Sequence, residues 1–251
     1  MFPFLEVFGL KVPAYGIMLL LAALSGFLAA VYFSGREGIP LPKVEALFFW
    51  VFLAALVGAR LFYVVEHGIY SDFYKFWEGG LDFFGGFTFA TLTLFALINY
   101  YRLDFWKTVD AAAASLLLAH SVGRLSCWLA GCCYGRPTDL PIGVVFPEGS
   151  AAPSGIPLYP TQLMEATGNF VGFLVLYAVY RRKPFDGAVA SLYLVWYGTE
   201  RFLLEFLRGT TPPLEGVGLT WNQLFALGAV FVGLSVGLWR LFRHRKGDRI
   251  L

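Results

Sequence analysis

The sequence predicts an all-α integral membrane protein, a bundle of seven transmembrane helices with sizeable outer loops, the N-terminus outside and the C-terminus inside. Three observations predict it: an excess of apolar residues, long apolar stretches, and an uneven distribution of Lys and Arg. Of the 251 residues, 58% are apolar and 14% are charged, whereas a soluble domain has about 45–50% and about 25%. A chain of this length cannot bury so much apolar surface, which excludes a soluble, secreted or disordered protein.

Seven stretches are long and apolar enough to cross a bilayer as helices, which takes about 20 residues. Three of them contain no charge, and these are Val12–Gly35, Phe83–Tyr101 and Gly216–Trp239. Four more contain ionisable side chains within them or at their ends, and these are Val44–Val65, Val109–Cys133, Gln162–Tyr180 and Gly187–Leu207. The odd number of spans puts the two termini on opposite sides of the membrane.

The basic residues predict the orientation, because Lys and Arg favour the cytoplasmic side. With the N-terminus outside, 12 of the 19 lie in inner loops and the tail, 4 in outer segments and 3 within apolar stretches. We therefore predict a single transmembrane domain over 1–251, outer loops at 66–82 and 134–161, and a basic cytoplasmic tail at 240–251. Residues 1–10 contain no Lys or Arg, so we expect the first apolar stretch to stay in the mature protein. The net charge of +2 argues against nucleic-acid binding.

Three arginines lie inside apolar stretches, where a charge costs several kcal/mol and requires a partner. Arg201 shares one helical face with Tyr197, Glu205 and Arg208. This pattern fits an anion site, since Arg binds phosphate through two N–H groups. It fits a structural Arg201–Glu205 ion pair equally well. Arg60, near the end of its helix, either has an interior partner or reaches the membrane interface.

The third arginine, Arg124, shares a helical face with His120, Cys127 and Gly131. Both Gly131 and the nearby Gly135 lack a side chain and allow backbone or ligand to approach closely. This stretch is therefore a second candidate for a buried polar site.

The three cysteines, Cys127, Cys132 and Cys133, lie within seven residues and cannot form a disulfide framework along the chain. Their spacing matches neither C-x-x-C nor a usual zinc pattern. Apolar neighbours make a thiol inert. We therefore favour small buried hydrophobic residues over a metal or redox role.

An anion site is also predicted where the third helix begins, because Gly85 and Gly86 expose backbone N–H groups in its first turn. Glu165 lies one turn into a later helix, where a catalytic role and a packing hydrogen bond both remain open. Basic groups, a glycine-rich helix start and a long outer loop together predict a site for an anionic lipid headgroup near the outer leaflet.

Over nearly the whole chain, these stretches resemble the motifs of bacterial prolipoprotein diacylglyceryl transferases. The matching stretches are Tyr15–Gly16, Gly58–Tyr63, Glu78–Gly86, Gly123–Gly135, Tyr159–Glu165 and Tyr197–Arg208. The family transfers the diacylglyceryl group of phosphatidylglycerol to the thiol of a lipobox cysteine in a prolipoprotein signal peptide. The resemblance implies these two substrates and the lipid bilayer as partners, and no cofactor or metal. It also implies a location in the bacterial inner membrane, with the site facing the outer leaflet.

By this resemblance, Arg124 and Arg201 hold the phosphate and stabilise the charge that develops on the leaving group. The residues that we expect to bind or orient the substrates are Tyr15, Arg60, Gly85, Gly86, Gly135, Glu165, Tyr197 and Glu205.

The chain departs from the family's motifs at positions that bear on the chemistry. Phe84 and Tyr159 occupy the places of two family histidines, and Cys132 that of the signature glutamate. An acceptor thiol must lose its proton, and histidine is the usual base. We therefore predict that His120 is a substitute base. The alternatives are a non-catalytic or divergent phospholipid-binding protein on the same scaffold, and thiol–disulfide chemistry at the cysteines.

Overall fold

A computed structural model describes residues 4–7, 10–70, 73–75, 80–208 and 212–247. This part of the chain contains seven helices, which confirms the helical prediction. They are α1 (Ala14–Arg36), α2 (Leu41–His67), α3 (Phe83–Tyr100), α4 (Phe105–Ala130), α5 (Thr161–Arg182), α6 (Ala188–Glu205) and α7 (Trp221–Gly247). By length and composition, α1, α2, α3, α5 and α7 are apolar enough to cross a membrane.

Four short strands accompany the helices within this all-α fold. Strand β1 (Phe4–Val7) pairs antiparallel with β2 (Leu10–Pro13), so the first helix begins two residues later than predicted. Strand β3 (Val144–Val145) pairs antiparallel with β4 (Pro157–Leu158) within the predicted loop at 134–161. That loop therefore contains regular structure.

The predicted tail and first long loop are described only in part. Helix α7 continues through residues 240–247, so most of the predicted tail is helical. Residues 248–251 of the tail, and residues 71–72 and 76–79 of the loop at 66–82, lie outside the described residues.

The chain divides into two compact units, Ser34–Thr108 and the combination of Met1–Phe33 with Val109–Leu251. We call the first the small unit and the second the large unit. In the small unit, α2 and α3 approach closely because glycines face each other. A Cβ atom on Gly58 would lie 2.6 Å from the carbonyl oxygen of Gly85. Such small residues let helix backbones come together.

The start of α3 is closed by a side chain of its own. Asp82 Oδ1 accepts a hydrogen bond from the backbone N–H of Gly85 at 2.8 Å, as an N-cap does. The N–H of Gly86 donates to the carbonyl oxygen of Asp82 at 3.2 Å. Both glycine N–H groups therefore have acceptors within the helix start.

Replacing Gly85 with alanine is expected to destabilise the small unit. The added Cβ would meet the Gly58 carbonyl oxygen and, at 2.6 Å, the Phe62 side chain. Overpacking of this kind costs about 1–3 kcal/mol, or about 2–12 °C in melting temperature for a chain of this size. Tryptophan fluorescence during heating in detergent measures the change. The matched control is Gly35→Ala, where nothing lies within 4 Å, and equal melting of the two variants would contradict the packing role.

In the large unit, α1, α4, α5 and α6 share a hydrophobic core. Its largest buried members include Phe33, and the hydroxyl of Tyr180 donates to the Phe33 carbonyl oxygen at 2.9 Å. Asp110 on α4 accepts from the backbone N–H groups of Gly187 and Ala190, each at 2.8 Å. These bonds satisfy two backbone N–H groups at the start of α6.

Candidate functional site

Five charged side chains of the large unit form a continuous chain of ion pairs. Arg124 Nη2 on α4 lies 2.7 Å from Glu165 Oε1 on α5. The other oxygen of Glu165 is 3.9 Å from Arg208 Nη1. Glu205 Oε2 on α6 is 3.8 Å from Arg208 Nε and 2.9 Å from Arg201 Nη1. We call these five side chains the arginine network, because they bring Arg124 and Arg201 together through two carboxylates.

The arginine network is buried and carries a net positive charge. The Glu165 and Glu205 side chains expose 2% and 1% of their surface, and the three arginines between 10% and 20%. The charges of these five side chains sum to +1, and the buried carboxyl group of Glu200 lies within electrostatic range of Arg124 and Glu165. Arg201 Nη1 and Arg208 Nε are buried, and both face Glu205 Oε2. A guanidinium group has five N–H donors and pairs readily with phosphate, so the network has both the charge and the donors that bind an anion.

Glu205 is oriented by the start of α7. Its Oε1 accepts hydrogen bonds from Thr220 Oγ1 at 3.1 Å and from Asn222 Nδ2 at 2.8 Å. Because these neutral donors hold one oxygen, the other oxygen faces both Arg201 and Arg208. The carboxylate thus fixes two guanidinium groups relative to each other.

Arg208 lies beyond the end of α6 and is positioned by the 134–161 segment. Gly135 pairs with Arg208 in an antiparallel bridge and donates its N–H to the Tyr159 carbonyl oxygen at 2.9 Å. A Cβ on Gly135 would lie 2.6 Å from Tyr159 Cβ and 2.7 Å from the Leu207 carbonyl oxygen. The absence of a side chain therefore allows three backbone segments to meet next to the network.

Two aromatic rings lie beside the arginine network. The ring centroids of His120 and Tyr197 are 5.2 Å apart, and both rings are within electrostatic range of Arg124 and Arg201. His120 Nδ1 is buried and has no hydrogen-bond partner among the described residues. Tyr15, at the start of α1, is 41% exposed and within electrostatic range of Arg124.

The three cysteines come together where α4 ends. Gly131 adopts a φ of +72°, and the N–H of Cys132 donates to the Cys127 carbonyl oxygen at 3.1 Å, as in a Schellman motif. The sulfur atoms of Cys127, Cys132 and Cys133 lie within 4.8 Å of one another, and each residue is half-buried. Arg124 Nη1 is 3.9 Å from Cys127 Sγ. This cluster differs from the buried hydrophobic environment that we favoured from the sequence.

Three predicted site residues belong to the small unit and have contacts there. Arg60 is 2% exposed, and its guanidinium donates to the carbonyl oxygens of Phe73 at 3.3 Å and Gly80 at 3.2 Å. Arg60 therefore binds backbone within its own unit. Gly85 and Gly86 lie in the capped first turn of α3, where their small size allows α2 to approach.

The structure extends the site beyond the residues that we expected to bind substrate. Arg208, which the sequence places on the same helical face as Arg201, contacts both carboxylates of the arginine network. Gln162 donates to the Cys132 carbonyl oxygen at 2.7 Å, and Thr161 donates to that of Cys133 at 2.8 Å. No local pattern indicates these bonds, because they connect residues about 30 positions apart.

Fold and site together define a helical membrane protein with a buried cationic site. A family model for prolipoprotein diacylglyceryl transferase matches residues 3–239. The chain belongs to the prolipoprotein diacylglyceryl transferase family, and it is a multi-pass membrane transferase.

Relatives with the name phosphatidylglycerol–prolipoprotein diacylglyceryl transferase match nearly the whole chain. One from Clostridium tetani is 31% identical over 246 residues, which cover 96% of this chain and 97% of the relative. One from Finegoldia magna is 31% identical over 235 residues, 91% of each chain. One from Cupriavidus metallidurans is 30% identical over 253 residues, 93% of this chain and 90% of the relative.

Proposed function

We propose that the protein transfers the diacylglyceryl group of phosphatidylglycerol to the thiol of the lipobox cysteine in a prolipoprotein signal peptide. Relatives that are about 30% identical in sequence over nearly the whole chain are named for this reaction. The observation that carries the proposal is the buried arginine network, in which two carboxylates hold Arg124, Arg201 and Arg208 together. A phosphodiester has one negative charge and several acceptor oxygens, and so complements the guanidinium groups of Arg124, Arg201 and Arg208.

The reaction forms one bond and breaks another at the same carbon. The acceptor thiolate attacks the glycerol carbon that carries the phosphate, a C–S bond forms, and the C–O bond breaks. The electron pair leaves with the phosphate oxygen, so glycerol phosphate departs with one more negative charge than the bound phosphodiester. Arg124 and Arg201 stabilise that additional charge, because fixed guanidinium groups in a dry site are effective where charge develops. Glu165 and Glu205 hold them in place.

The direct test supplies the purified protein with phosphatidylglycerol labelled in its acyl chains and with a peptide containing a lipobox cysteine. We expect the label on the peptide and glycerol phosphate in solution. The second candidate, a phospholipid-binding protein without catalysis, is favoured by Phe84 and Tyr159 at the two family histidine positions. It would give bound lipid and an unlabelled peptide, which would contradict the transferase.

His120 is proposed as the base that takes the acceptor thiol's proton. Its Nδ1 is buried without a partner beside the arginine network. His120→Gln keeps the size but removes the base, and we expect the transfer rate to fall by about 10²–10⁴, with unchanged phosphatidylglycerol binding. His244→Gln on the exposed end of α7 is the matched control. A wild-type rate in His120→Gln would contradict this role.

In the proposed topology, all seven helices span the bacterial inner membrane, with the N-terminus outside and the arginine network facing the outer leaflet. The distribution of 12 inner against 4 outer basic residues supports this orientation. Helices α4 and α6 are not among the five candidate spans, and they contain Arg124, Arg201 and Glu205 of the network. Green fluorescent protein becomes fluorescent only when it folds in the cytoplasm, so a fusion to the C-terminus should fluoresce. A stable fusion without fluorescence would contradict the orientation.

A further inference from the structure

We propose that Cys127, Cys132 and Cys133 form a three-thiolate site for a thiophilic d¹⁰ metal ion, Zn²⁺, whose fourth position binds the acceptor thiol. The ion and its ligands follow from the geometry of the three sulfur atoms. Only the identity of the acceptor rests on the proposed function.

The three sulfur atoms are close enough to share one ion. They lie within 4.8 Å of one another, and a Zn–S distance of about 2.3 Å places tetrahedral ligands about 3.8 Å apart. Side-chain rotations that move the sulfur atoms by less than about 1 Å would bring them to that separation. Thiolates select Zn²⁺ and Cu⁺ among biological metals, and three protein ligands with an open position are typical of catalytic zinc.

The backbone holds this arrangement before any ion binds. The turn after α4 brings Cys132 back over Cys127 through the 3.1 Å bond to its carbonyl oxygen. Cys133 has a φ of +58°, a left-handed conformation that is uncommon outside glycine. The fully buried side chain of Gln162 holds the Cys132 carbonyl oxygen at 2.7 Å. Strained backbone that is held by its surroundings is characteristic of ligand sites.

The charge of the site matches its surroundings. Three thiolates around a divalent ion carry a charge of −1, and the guanidinium of Arg124 lies 3.9 Å from Cys127 Sγ. Arg124 therefore lies between the metal site and Glu165 of the arginine network. A sulfur bound at the fourth position would lie next to the group that we assign to the phosphate.

This placement gives the cysteines a role in the reaction. The acceptor thiol loses its proton to His120 and binds the ion as a thiolate, because a coordinated thiol is deprotonated. The thiolate forms the C–S bond while the C–O bond breaks and its electron pair leaves with the phosphate. The neutral thioether is a weaker ligand and dissociates. The oxidation state of the metal does not change, so the step needs no oxidant or reductant.

The first measurement is the metal content and the spectrum of the purified full-length protein. We expect one zinc per chain, and after exchange with Co²⁺ the thiolate-to-cobalt charge-transfer absorption. Changing all three cysteines to serine should abolish both, and Cys132→Ser alone should weaken Co²⁺ binding by about tenfold or more. Melting temperature and phosphatidylglycerol binding report whether these variants fold. The proposed site would be overturned if the wild-type protein contained no more zinc than the triple variant, or if two of the three cysteines formed a disulfide.

The second measurement tests the fourth position without any lipid. A lipobox peptide with its cysteine should shift the Co²⁺ absorption, and the same peptide with serine should not. If the cysteine peptide shifts nothing, the role of the ion in acceptor binding is overturned. If the protein freed of metal transfers lipid at the full rate, the inference fails while the proposed function stands. If zinc and the shift are present without transfer, the proposed function fails while the metal site stands.

Discussion

Arg201→Ala is expected to reduce diacylglyceryl transfer by about 10²–10³ or more, the usual effect of removing a fixed donor to developing charge. Arg201 has a buried Nη1 atom that lies 2.9 Å from Glu205 Oε2. Its loss removes the charge and donors that face the phosphate. Phosphatidylglycerol binding should weaken together with the rate, because the ground state uses the same group. Initial rates and lipid binding in detergent micelles measure both.

The fold should tolerate this substitution, because Glu205 keeps other partners. Thr220 and Asn222 still donate to Oε1, and Arg208 remains 3.8 Å from Oε2. Arg201→Lys keeps the charge but not the two-pronged donor, so we expect an intermediate rate. Arg136→Ala, at an exposed arginine, is the matched control with a wild-type rate. Undiminished transfer in Arg201→Ala would remove the basis of the phosphate site.

Glu165→Gln is expected to lower both stability and activity. The amide has the shape of the carboxylate but no charge, so Arg124 at 2.7 Å and Arg208 at 3.9 Å lose their shared counter-ion. Breaking a buried ion pair costs about 3–5 kcal/mol of unfolding free energy. Without the carboxylate, Arg124 is no longer fixed, and a misplacement of about 1 Å costs about 10²-fold in rate. Thermal unfolding and initial transfer rates measure the two effects.

The control for this variant is Glu215→Gln, at an exposed glutamate before α7. It removes the same charge without touching the network, so its melting temperature and rate should equal those of the wild type. If Glu165→Gln behaved like this control, the 2.7 Å pair would contribute nothing measurable. The ion pairs of the network would then result from the packing of the helices and would not stabilise it.

The helices could be predicted because apolar length is a strong signal. Helix α3 starts at the predicted Phe83 and ends one residue before the predicted Tyr101. Helix α7 differs more, because it starts at Trp221 and not at the predicted Gly216, and it extends past the predicted end at Trp239. The extension follows from the Arg and Lys residues after Trp239, which are good helix formers. Strands of two to four residues are too short for a detectable alternation.

In the site, the arginines could be predicted because a charge in an apolar stretch is costly, but their partners could not be predicted in this way. Spacing within a helix reports neighbours three or four residues apart, and it correctly paired Arg201 with Glu205. The partner of Arg124 is Glu165 on a different helix, which no local spacing indicates. Arg208 enters the network through a turn and a bridge to Gly135. The cysteine cluster likewise depends on a helix-terminating turn, whose sequence signal is the single residue Gly131.

The bridge between Gly135 and Arg208 has an evolutionary consequence. Together with the bond from Gly135 to Tyr159, it fastens both ends of the 134–161 segment to one place. A loop that is closed at its base can gain or lose residues at little entropic cost and without altering the distance between its ends. Insertions and deletions along the segment can therefore accumulate across lineages while Gly135, Tyr159 and Arg208 stay in place.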